Sequence, residues 1–456
     1  MTPSTNTKKS RVLSGMRPTG RLHIGHYFGA LQNWVRMQDS YDCFFFVADW
    51  HALTTHYADS SQVASNTLEV ATDWLAAGLD PAKATLFIQS SVPEHAELHL
   101  LLSMITPLSW LERVPTYKEQ IENLRDKDLG TYGFLGYPLL QGADIVMYGE
   151  PKRPLLVPVG EDQAPHIEMT REIVRRFNSN FGLSIDDALF QPARRSDLMK
   201  LIEWRADRFD LTFADGSGYG GGDQQLAMDA QRDAVVRATF VQELRSRAAQ
   251  VGIRNFLDSL GQYRRHFDAR EVLQEPDVIL TETPRVPGTD GRRMAKSYGN
   301  TIWLSEPVED IRAKVRNMMT DPQRVRRTDP GRPEVCPVFA YHKLFSDAAT
   351  IAMVDRDCRT AAIGCVDCKK LMADALVKWI APIQERRSKF AAHPEEVWSI
   401  LDSGSKQARK VATKTMKRVR KAIFNWDEAR KARPPEPSRH RRAGDVSGES
   451  KSAATD

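Results

Sequence analysis

The chain has 456 residues, of which 27% are charged and 41% hydrophobic. This is the balance of a soluble globular protein, and the length calls for two large domains plus insertions. There is no apolar run of about 18 residues and Met1 to Lys9 is polar, so the expectation is a cytoplasmic protein with no membrane partner. A net charge of +5 permits a nucleic-acid partner without establishing one. Five cysteines, an odd number, argue against a disulfide framework and for free thiols or a metal site.

In chain order, the first predicted unit is a strand-to-helix turn. Val12 and Leu13 end a short apolar piece, Ser14-Gly15-Met16-Arg17-Pro18-Thr19-Gly20-Arg21-Leu22 forms the turn, and His23-Ile24-Gly25-His26 opens a helix. Ile24, Phe28, Leu31 and Val35 recur at helical spacing. Free amides at such a helix start suit a phosphate, and His23 and His26, three apart, can both face it. Taken singly, a Gly-rich turn is ordinary chain reversal and paired histidines are ordinary surface residues. Together, the His-Ile-Gly-His after a strand and a Pro-Thr-Gly turn resemble the first signature of class I aminoacyl-tRNA synthetases and their nucleotidyl-transferase relatives. That resemblance implies that the histidines hold the triphosphate of ATP.

The run from Cys43 to Val47 before Asp49 reads as a strand covered on both faces, with Cys43 a core thiol. A helix over 61–77 follows, stopped by Gly78-Leu79-Asp80-Pro81, and then a strand over 84–89. This β-α-β-α-β alternation predicts an α/β fold, a doubly wound parallel sheet with ligands at the carboxyl ends of its strands. Gly15, Asp49-Trp50-His51 and Gln89-Ser90 fall there.

Two further stretches belong to that sheet. From Tyr137 to Tyr148, Pro138 suits a first helical turn, and Tyr137, Gln141, Asp144 and Tyr148 share one face. A carboxylate on so apolar a helix needs a donor, either the local backbone or a substrate. From Val157 to Arg171, a short strand and Gly160 lead into Glu161, Asp162 and Gln163 at a helix start, which the helix dipole alone would favour. Val-Pro-Val-Gly-Glu-Asp-Gln with His-Ile-Glu-Met-Thr-Arg downstream, Ser-Gly-Met-Arg-Pro-Thr-Gly, and Tyr-Pro-Leu-Leu-Gln-Gly-Ala-Asp-Ile together resemble the bacterial tryptophanyl-tRNA synthetases. The likeness covers about residues 11–183 and 280–426. It implies that Asp144 accepts from the indole N–H of tryptophan, that Gln163 and Tyr137 hold its α-amino end, and that Arg17, Pro18, Thr19, Gly25, His26, Gly160, Glu161 and Asp162 line the ATP site. The related tyrosyl enzymes are the nearest competitor, because Gln141 beside Asp144 also occurs in their substrate helix.

The second class I signature, Lys-Met-Ser-Lys-Ser, stands here as Arg293-Met294-Ala295-Lys296-Ser297 after Val286-Pro287-Gly288. The resemblance adds Val286 and these five residues to the ATP site. It makes His23, His26, Arg293 and Lys296 the catalytic set, with Lys296 neutralising charge on departing pyrophosphate. Ala295 lacks the family's hydroxyl, which leaves the loop's local hydrogen bonding open.

Residues 184–279 read as an insertion between a first catalytic part, 1–183, and a second, 280–305. The glycine-rich stretch from Phe213 to Asp223 reads as a flexible connection, followed by a helical run over 224–250. Residues 306–430 turn helical and resemble the family's all-α anticodon-binding domain. In its last helix Ala408, Val411, Thr415, Val419, Ala422 and Trp426 form an apolar stripe. Lys406, Arg409, Lys410, Lys414, Lys417, Arg418, Arg420 and Lys421 fill the rest with no acid, a face for solvent or for tRNA phosphates. Residues 431–456 read as a disordered tail.

Cys336, Cys358, Cys365 and Cys368 fall within 33 residues, and four such thiolates suit zinc or an iron–sulfur cluster. Their spacing resembles a subset of tryptophanyl-tRNA synthetases with a [4Fe–4S] cluster, which favours iron. The resemblance therefore implies a homodimeric tryptophan–tRNA ligase using ATP, Mg²⁺, L-tryptophan and tRNA(Trp). The rivals are a regulatory paralogue, which loss of the histidine or lysine signature would favour, and a small nucleotidyl transferase, which would lack the helical segment.

Overall fold

Strands form where apolar runs can be covered on both faces. In the computed structural model, which describes residues 8–114, 130–160, 163–208, 230, 234–280 and 286–431, five parallel strands make one sheet. They are β1 (Arg11–Met16), β2 (Asp42–Val47), β3 (Ala84–Ile88), β4 (Leu155–Val159) and β7 (Asp277–Leu280), in the order β3-β2-β1-β4-β7. Side chains alternate between two cores, as a pleat requires: Val12, Cys43, Phe45 and Leu86 enter one, and Leu13, Phe44, Phe46 and Phe87 the other. Cys43 is buried, as its place in the strand implied.

The helices used below are α1 (Asp49–His56), α2 (Val63–Ala77), α3 (Glu94–Ser103), α4 (Tyr137–Met147), α5 (Ala164–Phe181), α6 (Cys365–Ala392) and α7 (Pro394–Ile423). Helix α2 stops at Gly78, whose φ of 113° gives the left-handed cap that glycine adopts without strain. The helix after the first turn is interrupted: Ile24–His26 is α-helical, Tyr27–Leu31 a π-type turn and Gln32–Met37 α-helical again. Its expected apolar face holds, with Ile24, Phe28 and Leu31 buried, and Trp34 joins it by stacking on Phe45 at 4.5 Å.

After α5 the chain leaves the sheet, builds a third core, and returns as β7. Strands β5 (Leu183–Ile185) and β6 (Phe267–Ala269) pair antiparallel, and helices Ala234–Val251 and Ile253–Ser259 surround Leu189, Phe190, Phe240 and Phe256. The edge strand β7 thus straddles residue 279, where the sequence reading ended the insertion. The glycine-rich stretch over 213–223 and, of the helical run expected over 224–250, residues 224–229 and 231–233 lie outside the described residues, while 234–250 is met by helix Ala234–Val251. So does 432–456, all but the first residue of the expected tail.

The C-terminal helices are built into the sheet's own cores. Val397 and Leu401 of α7 enter one, and Ala408, Ala412, Met416 and Val419 the other. Trp426 does not extend that stripe: α7 ends at Ile423, Asn425 turns the chain at φ 44°, and Trp426, 59% exposed, stacks on Phe424. Among the described residues no helix is long and apolar enough to cross a membrane.

Gly404 is where α7 lies directly on β3: a Cβ there would stand 1.8 Å from the Leu86 carbonyl oxygen. Because that obstacle is backbone, Gly404→Ala should lower the unfolding free energy by about 3 kcal/mol. A urea midpoint unchanged from the wild type would refute this, with exposed Ser403→Ala as the neutral control.

Candidate active site

Strand β1 pairs with β2 along its whole length but with β4 only at Arg11 and Val12. The strand order reverses between β1 and β4, so a crevice opens at their carboxyl ends, where doubly wound sheets take ligands. The first-signature turn leaves β1 there, and Gly160 follows β4. Glu161 and Asp162 lie outside the described residues; Gln163 donates its N–H to the Gly160 carbonyl at 3.1 Å.

His23 and His26 cap each other. The His26 amide donates to His23 Nδ1 at 3.3 Å, the His23 amide donates to His26 Nδ1 at 3.2 Å, and the rings stack with centroids 3.6 Å apart. With both Nδ1 atoms accepting, each ring carries its proton on Nε2, a neutral donor suited to a phosphate oxygen. Burial holds the His23 pKa down to about 4, helped by Lys296. It holds that of His26 to about 3, helped by His23 and Lys296. Gly25 has to be glycine here, because a Cβ would lie 2.9 Å from His23 Nδ1.

The second signature lies against the first. Lys296 Nζ donates to the Thr19 carbonyl at 2.7 Å, to Thr19 Oγ1 at 3.2 Å and to the Gly20 carbonyl at 3.2 Å. Burial lowers the Lys296 pKa to about 8, with Asp73 opposing and Arg21 assisting. Met294 is buried and packs toward Gly25, Val286 is buried, and Arg293 and Ser297 are exposed. Arg17 lies over the Tyr137 ring at 5.9 Å, Pro18 is buried and Thr19 exposed.

Asn300, which sequence reasoning passed over, supplies the loop's local hydrogen bonds at Ala295. Its Oδ1 accepts from the Ala295 amide at 2.9 Å, and its Nδ2 donates to Asp290 at 2.7 Å and to the Arg293 carbonyl at 3.0 Å. The segment after it fastens the two signatures together: Ile24 N donates to Ile302 O at 3.0 Å and Leu304 N to Leu22 O at 2.9 Å. No motif marks Asn300, and only its side-chain hydrogen bonds reveal it.

On α4, Asp144 is 1% exposed and ringed by donors. His51 Nε2 stands 2.8 Å from Oδ2, His95 Nδ1 2.5 Å from Oδ1, and Gln89 Nε2 2.9 and 2.8 Å from the two oxygens. Burial alone would raise this carboxyl's pKa, but His95 and His51 hold it to about 2. His51 and Gln89 were legible as residues at strand ends; His95 was not, since it comes from α3. Nearby, His166 Nδ1 meets Gln141 Oε1 at 2.9 Å and the His166 ring faces Tyr137.

The four C-terminal cysteines converge from three helix ends. Cys336 precedes helix Pro337–Phe345, Cys358 ends helix Ala348–Arg359, and Cys365 and Cys368 open α6. Burial pushes the Cys368 thiol up to about 12, with the other three cysteines adding to it, and Arg324 Nη1 donates to Cys358 Sγ at 3.6 Å. Among the described residues, no three His, Cys, Asp or Glu side chains are grouped as a metal ion needs.

A doubly wound sheet whose switch point carries a two-histidine turn, with a lysine loop folded onto it, defines the class I type of nucleotide-binding synthetase. The family model for tRNA synthetases class I (W and Y) matches residues 5–202 and 254–381. Tryptophan–tRNA ligase of Ralstonia nicotianae is 50% identical over 413 residues, covering 91% of this chain and 98% of the relative. That of Thermotoga maritima is 42% identical over 415 residues, with the same coverage. Tryptophanyl-tRNA synthetase of Campylobacter jejuni, solved with ADP and tryptophan, superposes with a TM-score of 0.63 at 25% identity, covering 91% of this chain and 99% of its own. The chain belongs to the class I tRNA synthetases for tryptophan and tyrosine.

The histidine geometry has a spectroscopic consequence. Nitrogen-15 imidazole spectra should show His23 and His26 as neutral Nε2–H tautomers from pH 8 down to about 5, since their pKa values lie near 4 and 3. An Nδ1–H tautomer for either ring would overturn the mutual cap.

Proposed function

We propose that this enzyme activates L-tryptophan with ATP and transfers it to tRNA(Trp), through the residue roles that follow. The carrying observation is 50% identity to a tryptophan–tRNA ligase along 98% of that relative. The tryptophan carboxylate attacks the α-phosphorus of ATP and pyrophosphate leaves. The terminal ribose hydroxyl of tRNA then takes the acyl group and releases AMP. No side-chain nucleophile is called for, and the protein contributes position and charge. His23 and His26 offer neutral N–H donors to the triphosphate, and Arg293 and Lys296 offset charge on the departing pyrophosphate, with Mg²⁺ as companion. Arg17, Pro18, Thr19, Gly25, Gly160, Val286, Met294, Ala295 and Ser297 line the nucleotide, as would Glu161 and Asp162.

Asp144 is the acceptor for the indole N–H, with Tyr137 and Gln163 at the amino end. A carboxylate has about four acceptor positions, and here Gln89, His51 and His95 take four contacts. Indole therefore enters by replacing one of these donors.

Residues 1–183 and 280–305 form the catalytic part, 184–279 an insertion and 306–430 the anticodon-binding part. On α7, Lys406, Lys410, Lys414, Lys417 and Lys421 are all exposed at spacings of three and four and form no ion pair among the described residues. That face suits the phosphates of tRNA. Leu100, Met104 and Leu108, together with Tyr132, whose ring lies 6.1 Å from that of His99, are each more than half exposed. They form the contact with a second copy in a homodimer. The cytoplasm is the location that fits this activity.

Four thiols, two of them in the first turn of a 28-residue helix, support a [4Fe–4S] cluster on Cys336, Cys358, Cys365 and Cys368. Such a cluster would cross-link three helix ends. Zinc is the alternative occupant.

Two experiments follow. Asp144→Asn keeps the volume, whereas alanine would leave three donors unsatisfied. The asparagine variant should lose about 2–4 kcal/mol in kcat/KM for tryptophan-dependent exchange of pyrophosphate into ATP. Undiminished exchange, or exchange supported by tyrosine in the wild type, defeats the substrate assignment. For the cysteines, anaerobically purified protein should be brown, absorb near 400 nm and bleach in air, and Cys365→Ser should abolish the colour. Colourless protein holding one zinc refutes the cluster.

A further inference from the structure

Asp73 is a carboxylate where the helix calls for an apolar residue. It is 0% exposed in the middle of α2, among Val70, Ala71, Trp74, Leu75 and Ala77, all buried. A lone carboxylate in such a place is costly, and replacing a buried ion pair by apolar residues is often neutral or stabilising. Packing therefore gives no reason for it. Its contacts do. Asp73 Oδ2 accepts the Leu22 N–H at 2.7 Å, and Leu22 is the residue before His23. Asp73 Oδ1 accepts from Arg387 Nε at 2.7 Å, and Arg387 belongs to α6. Arg387 also pairs with Glu69, and its neighbour Arg386 donates to the Ala76 carbonyl at 2.7 Å, so this end of α6 is clamped along α2. The Asp73 charge also acts on Lys296, opposing the effect of its burial.

We infer that Asp73 and Arg387 are positioning residues for adenylate formation, through which helix α6 sets the geometry of both nucleotide signatures. The Leu22 amide could otherwise turn toward the ligand or the solvent. Asp73 points it inward, and that fixes where the mutually capped histidines begin. Leu22 O in turn receives Leu304 N, so the same residue anchors the strand-like segment after the lysine loop. Arg387 opposes the effect of burial on the carboxylate and holds it in place with a fork that a flexible ammonium would not reproduce. A shift of α6 is thus transmitted to His23 and Lys296 by hydrogen bonds rather than through the tryptophan pocket, which none of these residues touches in the contacts above.

This rests on the proposed reading of the two signatures as the ATP site. The test uses Asp73→Leu with Arg387→Met, a pair that removes both buried charges together and leaves only the half-exposed Glu69 without its arginine, and Arg387→Lys as the conservative variant. Tryptophan-dependent exchange, normalised to active sites, should show kcat lowered about 10- to 100-fold in the double variant with KM for tryptophan unchanged. Arg387→Lys should recover part of the loss. The alkaline limb of the exchange rate, which follows loss of the Lys296 ammonium, should move to lower pH in the double variant. There Asp73 no longer supports the ammonium, while burial and Arg21 still oppose it. A folded double variant with wild-type kcat and an unmoved alkaline limb overturns the inference. So does a loss shared equally between kcat and KM for tryptophan. A wild-type enzyme that fails to exchange pyrophosphate with tryptophan would sink the proposed function instead, which separates the two failures.

Discussion

The structure depends on one divergence in its sheet. Strands β1 and β4 hydrogen-bond at their amino ends and then part, so Leu13 to Met16 and Val157 to Val159 face each other without a ladder between them. Backbone polar groups freed in this way need partners. The turn that follows β1 closes on itself, Thr19 N bonding to Arg17 O, while Ala48 N bonds to Met16 O and continues the β1–β2 ladder. The same divergence makes a slot bordered by glycine, where Gly15 is pressed by the Phe46 ring and Gly160 ends β4. In the proposed reading, nucleotide and amino acid take its two sides, at the point where the strand order reverses.

Two buried carboxylates flank that slot, and their contacts differ in a way that tracks their roles. Asp144 is surrounded by neutral-capable donors, two imidazoles and an amide, so one can yield to an incoming N–H at the cost of a single hydrogen bond. Asp73 is fixed by a guanidinium and a backbone amide, neither of which exchanges readily. The first arrangement suits a binding residue and the second a support. The opposing effects on their acidity agree: donors outweigh burial at Asp144 and lower its pKa, while burial outweighs them at Asp73 and raises it.

Much of this was legible in the sequence because it is local. β2 and β3 announced themselves as apolar runs, the stop after α2 as Gly78, and the two signatures as short motifs whose residues do meet in space. What could not be read is what one motif rests on. Asp73 is one polar position in the expected helix over 61–77, and its partner lies 314 residues away. Asn300 replaces contacts that the hydroxyl missing at Ala295 left in question, and His95 reaches Asp144 from another helix. Each is a tertiary pairing with no periodic signal. The helical character of the C-terminal segment was legible too, but not that its last helix covers β3 and closes both cores.

That last helix also shows why a run of like charges misleads when read as one face. The sequence offered eight cations without an acid, and the fold divides them by chemistry. Arg409 reaches Glu94 at 3.1 Å, Arg420 reaches Glu97 at 2.6 Å, and Arg418 donates to the carbonyls of Gly149 and Val272. These arginines serve as internal fasteners, their planar forks satisfying carboxylates and carbonyls that α7 would otherwise cover. The five lysines stay outside at spacings that place them along one side of the helix. Internal neutralisation of the arginines removes part of the self-repulsion that would destabilise a wholly cationic helix. It leaves the lysine side as a line of compact, hydrated charges, the kind that meets a polyanion through counterion release rather than fixed geometry. The helix therefore fastens the sheet with one set of cations while leaving the other set exposed, and it does both because arginine and lysine are not interchangeable.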